Sequence, residues 1–238
     1  MVPPVHFATF GTPPRYAAAL ARIEKQARDS GYFASVTAYT QDTLPGIADY
    51  AEFIAKNPRG YGYWFWKALV LLDRMRIVPE GDIILYADAG CSICTTEEAR
   101  RVWPIWVGIV ERHLTHRICF HHGHIEETWS KGDLSTFLGC GGNPAIMKMP
   151  QAWAGLQMMM NTAENRTLVQ QWLDIMMMED GHYVTDAPSR VPNAPSFREH
   201  RHDQAIISLL MKIHGAARLT APYKAPIHPV LCLQQRDS

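Results

Sequence analysis

The sequence predicts an α/β domain with a mostly parallel central sheet flanked by helices. Residues 5–9 are a short apolar run typical of a buried strand, and an amphipathic helix and a second β-prone run, 33–39, follow. A further apolar run, 82–86, comes after a helix that is apolar on nearly every side. Strands that alternate with helices in this way form parallel sheets, so the opening of the chain predicts a β-α-β unit.

Composition narrows the functional classes. The 238 residues contain 23 basic and 23 acidic side chains, and no basic stripe indicates a nucleic-acid partner. The first residues lack the charged and apolar regions of a signal peptide, and no run is long enough for a transmembrane segment. Five cysteines without a disulfide framework are typical of a reducing compartment, so we expect a cytoplasmic protein.

The first helix has recognisable boundaries. Thr12 is a candidate N-cap, with Pro13 at the first helical position. Gly31 ends the apolar series at helical spacing. Later in the chain we predict helices over 102–114 and 165–178, a strand over 117–120, a strand near Ala154-Gly155, irregular segments over 121–150 and 183–197, and a final helix after 199–204.

Residues 60–93 organise the rest of the prediction. A Gly- and aromatic-rich loop leads to Lys67 and an apolar helix over 64–75, and a turn then precedes the strand that ends before Asp88. Ligands of open α/β sheets bind beyond the carboxyl ends of strands. A carboxylate there, followed by the small residues Ala89 and Gly90, meets a cation or ribose hydroxyls without obstruction. The alternative is that Asp88 caps the next turn.

A second polar cluster occupies residues 199–204, directly before an Ile/Leu-rich helix. Asp203 is either a site residue or the N-cap of that helix. Six consecutive polar residues, including two histidines, exceed what a cap requires.

Other chemistry-bearing residues also have two interpretations. Lys67 either neutralises phosphates or extends along the surface to reach solvent. Trp64 and Trp66 either stack on a sugar or a base or belong to the core. A zinc site is an alternative for three cysteines and three histidines: Cys91, Cys94, Cys119, His121, His122 and His124.

The stretch ILYADAG resembles the strand and Asp-x-Asp element of the GT-A glycosyltransferases, with Asp88 as the first Asp and Gly90 in the place of the second. Lys67 is similar to the basic residue that glycogenin-like retaining transferases carry upstream. Ala154-Gly155, a helix and Asp203-Gln204 are similar in order to later motifs of that family. GYGYWFWK with DAG also resembles uncharacterised glycosyltransferase-like proteins of bacteria and large DNA viruses.

The resemblance implies a single GT-A-like, Rossmann-like domain over 1–238, with a nucleotide-binding half over 1–120, an acceptor and catalytic half over 121–222 and an extended tail over 223–238. It implies transfer of a hexose or pentose from a nucleotide-diphosphate sugar to a glycan or another hydroxyl acceptor, in polysaccharide biosynthesis. Mn²⁺ or Mg²⁺ would bind at Asp88. Gly90 in place of the second Asp makes tight metal binding an open point.

Site roles follow from the same resemblance. The catalytic candidates are Asp203, Glu199 and His202. The nucleotide and donor candidates are Thr9, Phe10, Gly11, Lys67, Asp88, Ala89, Gly90 and Gln204. The acceptor candidates are Trp64, Trp66, Trp153 and Gly155.

Two rival functions remain. One is a catalytically degenerate module that binds a sugar or nucleotide without turnover, which the loss of the second Asp favours. The other is a different nucleotide-dependent enzyme, such as a Rossmann-type oxidoreductase or a methyltransferase. The sequence after the first strand, ATFGTPPR, lacks the G-x-G-x-x-G fingerprint and argues against that second rival.

Overall fold

The computed structural model describes residues 2–222 and 226–231. These residues form a seven-stranded sheet and a separate two-stranded ribbon. The strands are β1 Val5–Phe10, β2 Ser35–Tyr39, β3 Ile83–Ala87, β4 Ser92–Ile93, β5 Arg117–Ile125, β6 Pro150–Ala152, β7 Leu156–Met160, β8 Ala217–Thr220 and β9 Val230–Leu231.

Helices lie on both faces of the sheet. They are α1 Ala17–Ser30, α2 Ala51–Lys56, α3 Gly60–Tyr63, α4 Trp66–Ile77, α5 Glu97–Arg112, α6 Glu126–Trp129, α7 Gly132–Phe137, α8 Pro144–Met147, α9 Ala163–Met177 and α10 His202–His214. Within the described ranges, no helix has the length and apolar character that crossing a membrane requires.

The strand order is β2-β1-β3-β7-β5-β6, and β8 also pairs with β5. β1 is parallel to both β2 and β3, and β8 is parallel to β5. β7 is antiparallel to β3 and to β5, and β6 is antiparallel to β5. Five strands (β1, β2, β3, β5 and β8) therefore run in one direction and two run in the other, which confirms the predicted α/β fold with a mostly parallel sheet.

The helices α1 and α4, which connect the first three strands, lie on opposite faces of the sheet. α1 leads to β2 and packs on one face, where Leu20 and Ile23 join the same apolar cluster as Phe7. α4 leads to β3 and packs on the other face, where Val70 and Leu71 join the cluster that contains Ala8. Helices on opposite faces leave a crevice beyond the carboxyl ends of β1 and β3, which is where doubly wound sheets bind ligands.

The prediction for residues 60–93 is confirmed in its main features. Ten of the twelve residues of α4 are buried, and all five residues of β3 are buried. Gly31 ends α1 with a φ of 73°, as its position after the apolar series indicated.

The predicted start of the first helix is wrong. α1 begins at Ala17, and its N-cap, Tyr16, makes no side-chain capping bond. Thr12 and Pro13 each precede a proline, and a residue before proline is sterically excluded from the helical region. The chain instead turns through 12–16, closed by the Tyr16 amide donating to the Thr12 carbonyl at 3.1 Å.

The bounds of β5 and α5 and the position of Ala154-Gly155 also differ from the prediction. The strand predicted over 117–120 continues to Ile125, so the histidines of 121–124 lie on a strand. Ala154-Gly155 lies in the turn between β6 and β7 rather than in a strand. α5 begins at Glu97, capped by Thr96, because its first turn is polar and precedes the apolar series that starts at Val102.

The predicted tail over 223–238 falls largely on residues 223–225 and 232–238, outside the described part of the chain. Its described portion includes β9, which pairs antiparallel with β4.

Candidate active site

A cleft of about 380 Å³ opens at the carboxyl ends of β1 and β3. It brings together eight residues that the sequence predicted for the site: Phe10, Gly11, Trp64, Trp66, Asp88, Ala89, Gly90 and Trp153. These residues come from four separate parts of the chain, so the fold assembles a cleft where the carboxyl-end rule expects one.

Asp88 directly follows β3 and points into this cleft with 32% of its side chain exposed. Tyr86 donates to its Oδ1 at 2.6 Å, which fixes the carboxylate. The turn after β3 is closed by the main chain, since the Cys91 amide donates to the Asp88 carbonyl at 2.8 Å. The Asp88 side chain is thus left for the cleft instead of closing the turn.

Lys67 lies beneath the cleft, with only 6% of its side chain exposed. Its Nζ is 3.0 Å from Asp203 Oδ2 and 3.6 Å from Asp88 Oδ1. Burial works against its charge, but the carboxylates of Asp203 and Asp88 raise the pKa of Lys67 above its ordinary value. The surface-lysine interpretation is therefore wrong: Lys67 is a buried cation that bridges two carboxylates.

Asp203 lies in the first turn of α10 and is buried. The N-cap position belongs to Arg201, and the helix has no side-chain capping bond, so the capping alternative for Asp203 is wrong. Burial raises the pKa of Asp203 to about 6, and the Lys67 ammonium opposes that rise. Asp203 is therefore ionised at neutral pH and titrates at slightly acidic pH.

The loop before Lys67 is a left-handed turn. Five successive residues have positive φ: Gly60 59°, Tyr61 54°, Gly62 85°, Tyr63 53° and Trp64 62°. Each non-glycine residue in this region costs roughly 1–2 kcal/mol. Strain of this kind persists only where surrounding contacts impose it, and it concentrates at functional sites.

Main-chain and side-chain bonds hold this turn. The Tyr63 amide donates to the Arg59 carbonyl at 2.8 Å, and the Trp64 amide donates to the Gly60 carbonyl at 3.1 Å. Asp186 accepts hydrogen bonds from both Tyr63 and Arg59, each at 2.8 Å. The turn places Tyr61 and Trp64 in the cleft wall immediately before Lys67.

Aromatic side chains form one wall of the cleft. Phe10 stacks on Trp66 with ring centroids 4.2 Å apart, and Trp66 donates to the Gly60 carbonyl at 3.1 Å. Both rings are mostly buried, whereas Trp64 and Trp153 are only partly buried. Trp64 and Trp153 therefore offer the more accessible ring surface to a ligand.

Besides Lys67, Asp203 and Gly155, four predicted site residues do not line the cleft. Thr9 is fully buried in β1. Glu199 is half exposed and pairs with Arg201 at 3.2 Å. His202 is buried, hydrogen-bonds the Val184 carbonyl at 2.9 Å and lies against the Trp64 ring, and burial lowers its pKa to about 4. Gln204 contacts buried polar side chains of β5 and β6.

Sequence reasoning missed seven residues of the cleft: Thr12, Arg15, Tyr16, Pro58, Gly60, Tyr61 and Cys91. Arg15 is exposed, and its guanidinium carbon lies 5.5 Å from the centroid of the Tyr16 ring. Its position in the turn directly after β1 was the available signal, because that turn must lie at the carboxyl edge of the sheet. It supplies an exposed cation to the cleft.

Gly155 lies where the turn before β7 passes closest to Asp88. A Cβ at this position would be 2.4 Å from Trp153 Cζ2 and 2.5 Å from Asp88 Oδ2. The Gly155 carbonyl also accepts the Asp88 amide at 2.9 Å. Only glycine therefore allows the two cleft residues to keep their present positions.

We predict that Gly155→Ala lowers activity by about tenfold or more, because the new methyl group must displace both Trp153 and Asp88, and small misplacements in a site are costly. Gly142→Ala is the matched control, since a Cβ there meets nothing within 4 Å. Steady-state rates of the two purified variants decide the matter. Equal activity in both would show that Gly155 does not constrain the cleft.

The zinc alternative finds no support in the geometry. Within 2–222 and 226–231, no group of three or more His, Cys, Asp or Glu side chains is arranged to hold a metal ion. Cys91 and Cys119 are both buried.

The solved structures that this chain resembles include several glycosyltransferases. Mouse xyloside xylosyltransferase 1 is 13% identical, with a TM-score of 0.45, over 91% of this chain and 84% of that one. A glycosyltransferase involved in glycosylation of the major capsid of PBCV-1 is 9% identical, with a TM-score of 0.40, over 83% and 81%. An active-site mutant of LgtC is 11% identical, with a TM-score of 0.44, over 91% and 72%. No protein-family model and no curated protein matches the chain.

Proposed function

We propose that this protein is a glycosyltransferase that binds a nucleotide-diphosphate sugar in the cleft and transfers the sugar to a hydroxyl of a glycan acceptor. The observation that carries the proposal is the buried Lys67 ammonium, which links Asp88 in the cleft to Asp203 beneath it. A cation held in a site of low dielectric stabilises negative charge much better than the same cation in water. Negative charge develops on the diphosphate as it departs, and the Lys67 ammonium would stabilise it.

The cleft supports a division of roles. Phe10 and Gly11, at the end of β1, face the nucleotide. Arg15, the exposed cation of the cleft wall, contacts a phosphate. Asp88 binds the ribose hydroxyls, because its carboxylate accepts the hydrogen bonds that hydroxyls donate. Trp64 and Trp153 shape the space for the sugars.

Asp203 acts from below the cleft through Lys67. Its carboxylate lies 3.0 Å from the Lys67 ammonium, so it holds that ammonium in place and keeps it charged. In this role Asp203 is a positioning residue, and the catalytic role that the sequence resemblance implies is a second proposal for it.

The residues of the cleft do not by themselves fit a divalent metal. Asp88 is the one carboxylate among its described lining residues, Tyr86 already donates to its Oδ1, and the Lys67 ammonium lies 3.6 Å from that oxygen. Mg²⁺ and Mn²⁺ require several oxygen ligands, and a neighbouring cation disfavours them. Binding of either metal at Asp88 therefore depends on oxygens that a nucleotide brings.

We predict that Mn²⁺ binds weakly to the free protein and more tightly when a nucleoside diphosphate is present, whose phosphates add oxygen ligands. Titration calorimetry with Mn²⁺, with and without the nucleotide, measures both affinities. Asp88→Asn should abolish the nucleotide-dependent gain. Tight Mn²⁺ or Zn²⁺ binding without nucleotide would contradict the prediction.

The test of the function combines binding and turnover. Nucleoside diphosphates are screened by thermal shift, because a ligand of the native state raises its melting temperature. Nucleotide sugars that carry the same base as a bound nucleoside diphosphate are then assayed for hydrolysis and for transfer to glycan acceptors. Transfer by the wild type supports the proposal.

A degenerate binding module is the second candidate, and the observation that favours it is Gly90 at the position of the second Asp. Binding of nucleotide sugars without hydrolysis or transfer would support this candidate and overturn the enzyme. No binding of any nucleotide, nucleotide sugar or glycan would overturn both.

A further inference from the structure

The main chain on each side of Asp186 is held by one buried lysine. The Lys131 ammonium donates to the carbonyl of Thr185 at 3.3 Å and to that of Ala187 at 3.2 Å. Lys131 directly precedes α7 and is buried. A buried ammonium needs its acceptors, so the two peptide groups that flank Asp186 are costly to move away. Asp186 therefore stands on a fixed part of an otherwise irregular segment.

The Asp186 carboxylate reaches from this segment to the left-handed turn of residues 60–64. Its Oδ2 accepts hydrogen bonds from the Tyr63 hydroxyl and from Arg59 Nη1, each at 2.8 Å. Burial opposes its charge, but these two donors lower the pKa of Asp186 below its ordinary value, so the carboxylate is ionised at neutral pH. Arg59 directly precedes the turn and Tyr63 is its fourth residue. A single oxygen therefore joins the start of the turn to its end.

The turn is not a conformation that its residues favour by themselves. Tyr61, Tyr63 and Trp64 have φ values of 54°, 53° and 62°, in a region that bulky side chains rarely adopt. Such a backbone persists only where surrounding contacts impose it. Asp186 supplies two of these contacts, from a segment more than 100 residues away along the chain.

The turn places two aromatic residues of the cleft. Tyr61 and Trp64 both line the cleft, whereas Asp186 does not. The Tyr61 ring lies 6.4 Å from the ring of Phe10, which the proposed function assigns to the nucleotide. A shift of the turn would therefore move the aromatic wall beside the donor while Asp88 keeps its position after β3.

We propose that Asp186 is a positioning residue, which holds the left-handed turn and so sets the places of Tyr61 and Trp64 in the donor cleft. This inference rests on the proposed function, in which the cleft binds a nucleotide-diphosphate sugar.

Asp186→Asn separates the charge of the carboxylate from its hydrogen bonds. Both bonds converge on one oxygen, and an amide oxygen also accepts two. The other oxygen, Oδ1, lies 3.8 Å from His202 Nε2, which is buried and has no hydrogen-bond partner among the described residues. His202 Nδ1 lies 2.9 Å from the Val184 carbonyl, which only accepts, so Nδ1 carries the ring proton and Nε2 a lone pair. The new amide nitrogen would face that lone pair as a donor, so Asp186→Asn should keep the turn, whereas Asp186→Ala removes both bonds.

Glu179→Ala is the matched control. Glu179 also accepts hydrogen bonds from one arginine and one tyrosine, Arg190 at 2.5 Å and Tyr183 at 3.3 Å. Its side chain is 43% exposed, close to the 52% of Asp186. Neither Glu179 nor its two partners line the cleft. The control therefore removes a comparable pair of contacts and leaves the turn in place.

¹⁹F NMR of protein labelled with 5-fluorotryptophan reports the turn without any substrate. The chain has seven tryptophans, and the Trp64 signal is assigned by its loss in Trp64→Phe. We expect this signal to shift in Asp186→Ala and to stay in place in Asp186→Asn and Glu179→Ala. Trp106 belongs to the apolar cluster on the other face of the sheet, so its signal should stay in place in all three variants.

Tyr63→Phe gives a second test, which stands even if Asp186→Ala does not fold. It removes one of the two bonds to Asp186 and keeps the ring, so it should shift the same Trp64 signal. An unmoved Trp64 signal in Tyr63→Phe and in Asp186→Ala, or an equal shift in Glu179→Ala, would overturn the proposal.

The kinetic expectation concerns the nucleotide sugar that the transfer assay identifies. Asp186→Ala should raise its KM roughly tenfold, the size of one lost aromatic contact, and should change kcat less, because Lys67 and Asp88 make no contact with Asp186. Asp186→Asn and Glu179→Ala should keep a KM close to that of the wild type. The expected signal shift in a protein that transfers no sugar would overturn the proposed function but would support the hold of Asp186 on the turn. The expected shift with an unchanged KM would overturn the link between the turn and donor binding.

Discussion

Asp88→Asn is expected to lower the transfer rate by at least ~100-fold, the typical cost of removing a charged or dipolar group from a preorganised site. The amide keeps the shape of the carboxylate and still accepts the Tyr86 hydroxyl, which lies 2.6 Å from Oδ1 in the wild type. The side chain is partly exposed, so we expect no large change in the melting temperature. Initial rates at saturating donor and thermal melts of the purified variant measure the two effects.

Asp42→Asn serves as the control for Asp88→Asn, because Asp42 is an exposed carboxylate on the loop after β2. It should match the wild type in both rate and melting temperature. A rate close to wild type in Asp88→Asn would remove Asp88 from the site, and a large fall in melting temperature would show that its charge is structural.

Asp203→Asn is expected to lose most transfer activity, by ~100-fold or more, for a different reason. Lys67 loses the carboxylate that lies 3.0 Å from its Nζ and keeps only Asp88, at 3.6 Å. The ammonium then pairs more closely with Asp88 and is less available to the donor phosphates. Asparagine is nearly isosteric, so cooperative thermal unfolding should persist, and rates and melts are measured as for Asp88→Asn.

The pH dependence of the wild type provides an independent check on Asp203. Because the pKa of Asp203 is raised to about 6, its carboxylate becomes neutral as the pH falls through that value. The transfer rate of the wild type should fall over the same interval, and Asp203→Asn should lack that step. Asp174→Asn, a change at an exposed carboxylate of α9, should retain it. Full activity of Asp203→Asn at neutral pH would refute the role of the Lys67–Asp203 pair.

The sequence was sufficient for the features in which each element reflects its own surroundings. β3 is apolar throughout and α4 is apolar on nearly every side because both are buried between layers, and that burial is visible in their composition alone. Asp88 follows from the same logic, because a polar residue directly after a buried strand must lie at the sheet edge. Gly31 and the parallel β1–β2 pair were predicted for equally local reasons.

Some errors came from local steric rules that outweigh the apolar pattern. The consecutive prolines 13 and 14 delay the start of α1 to Ala17. Gly155 belongs to a turn because its backbone passes against Asp88 and Trp153, and the chain around it gives no sign of that approach.

The sequence by itself determined the α/β fold, the strand that carries Asp88 and the Lys67 helix, because hydrophobic burial imposes a periodicity within each segment. Only the tertiary structure decided that Lys67 lies between Asp88 and Asp203, that Arg15 joins the cleft and that Glu199 does not. Those contacts join residues far apart in the chain, and a carboxylate that caps a helix and one that pairs with a buried lysine are alike in sequence. The packing of α4 against α10 and the end of β3 determines which of the two occurs here.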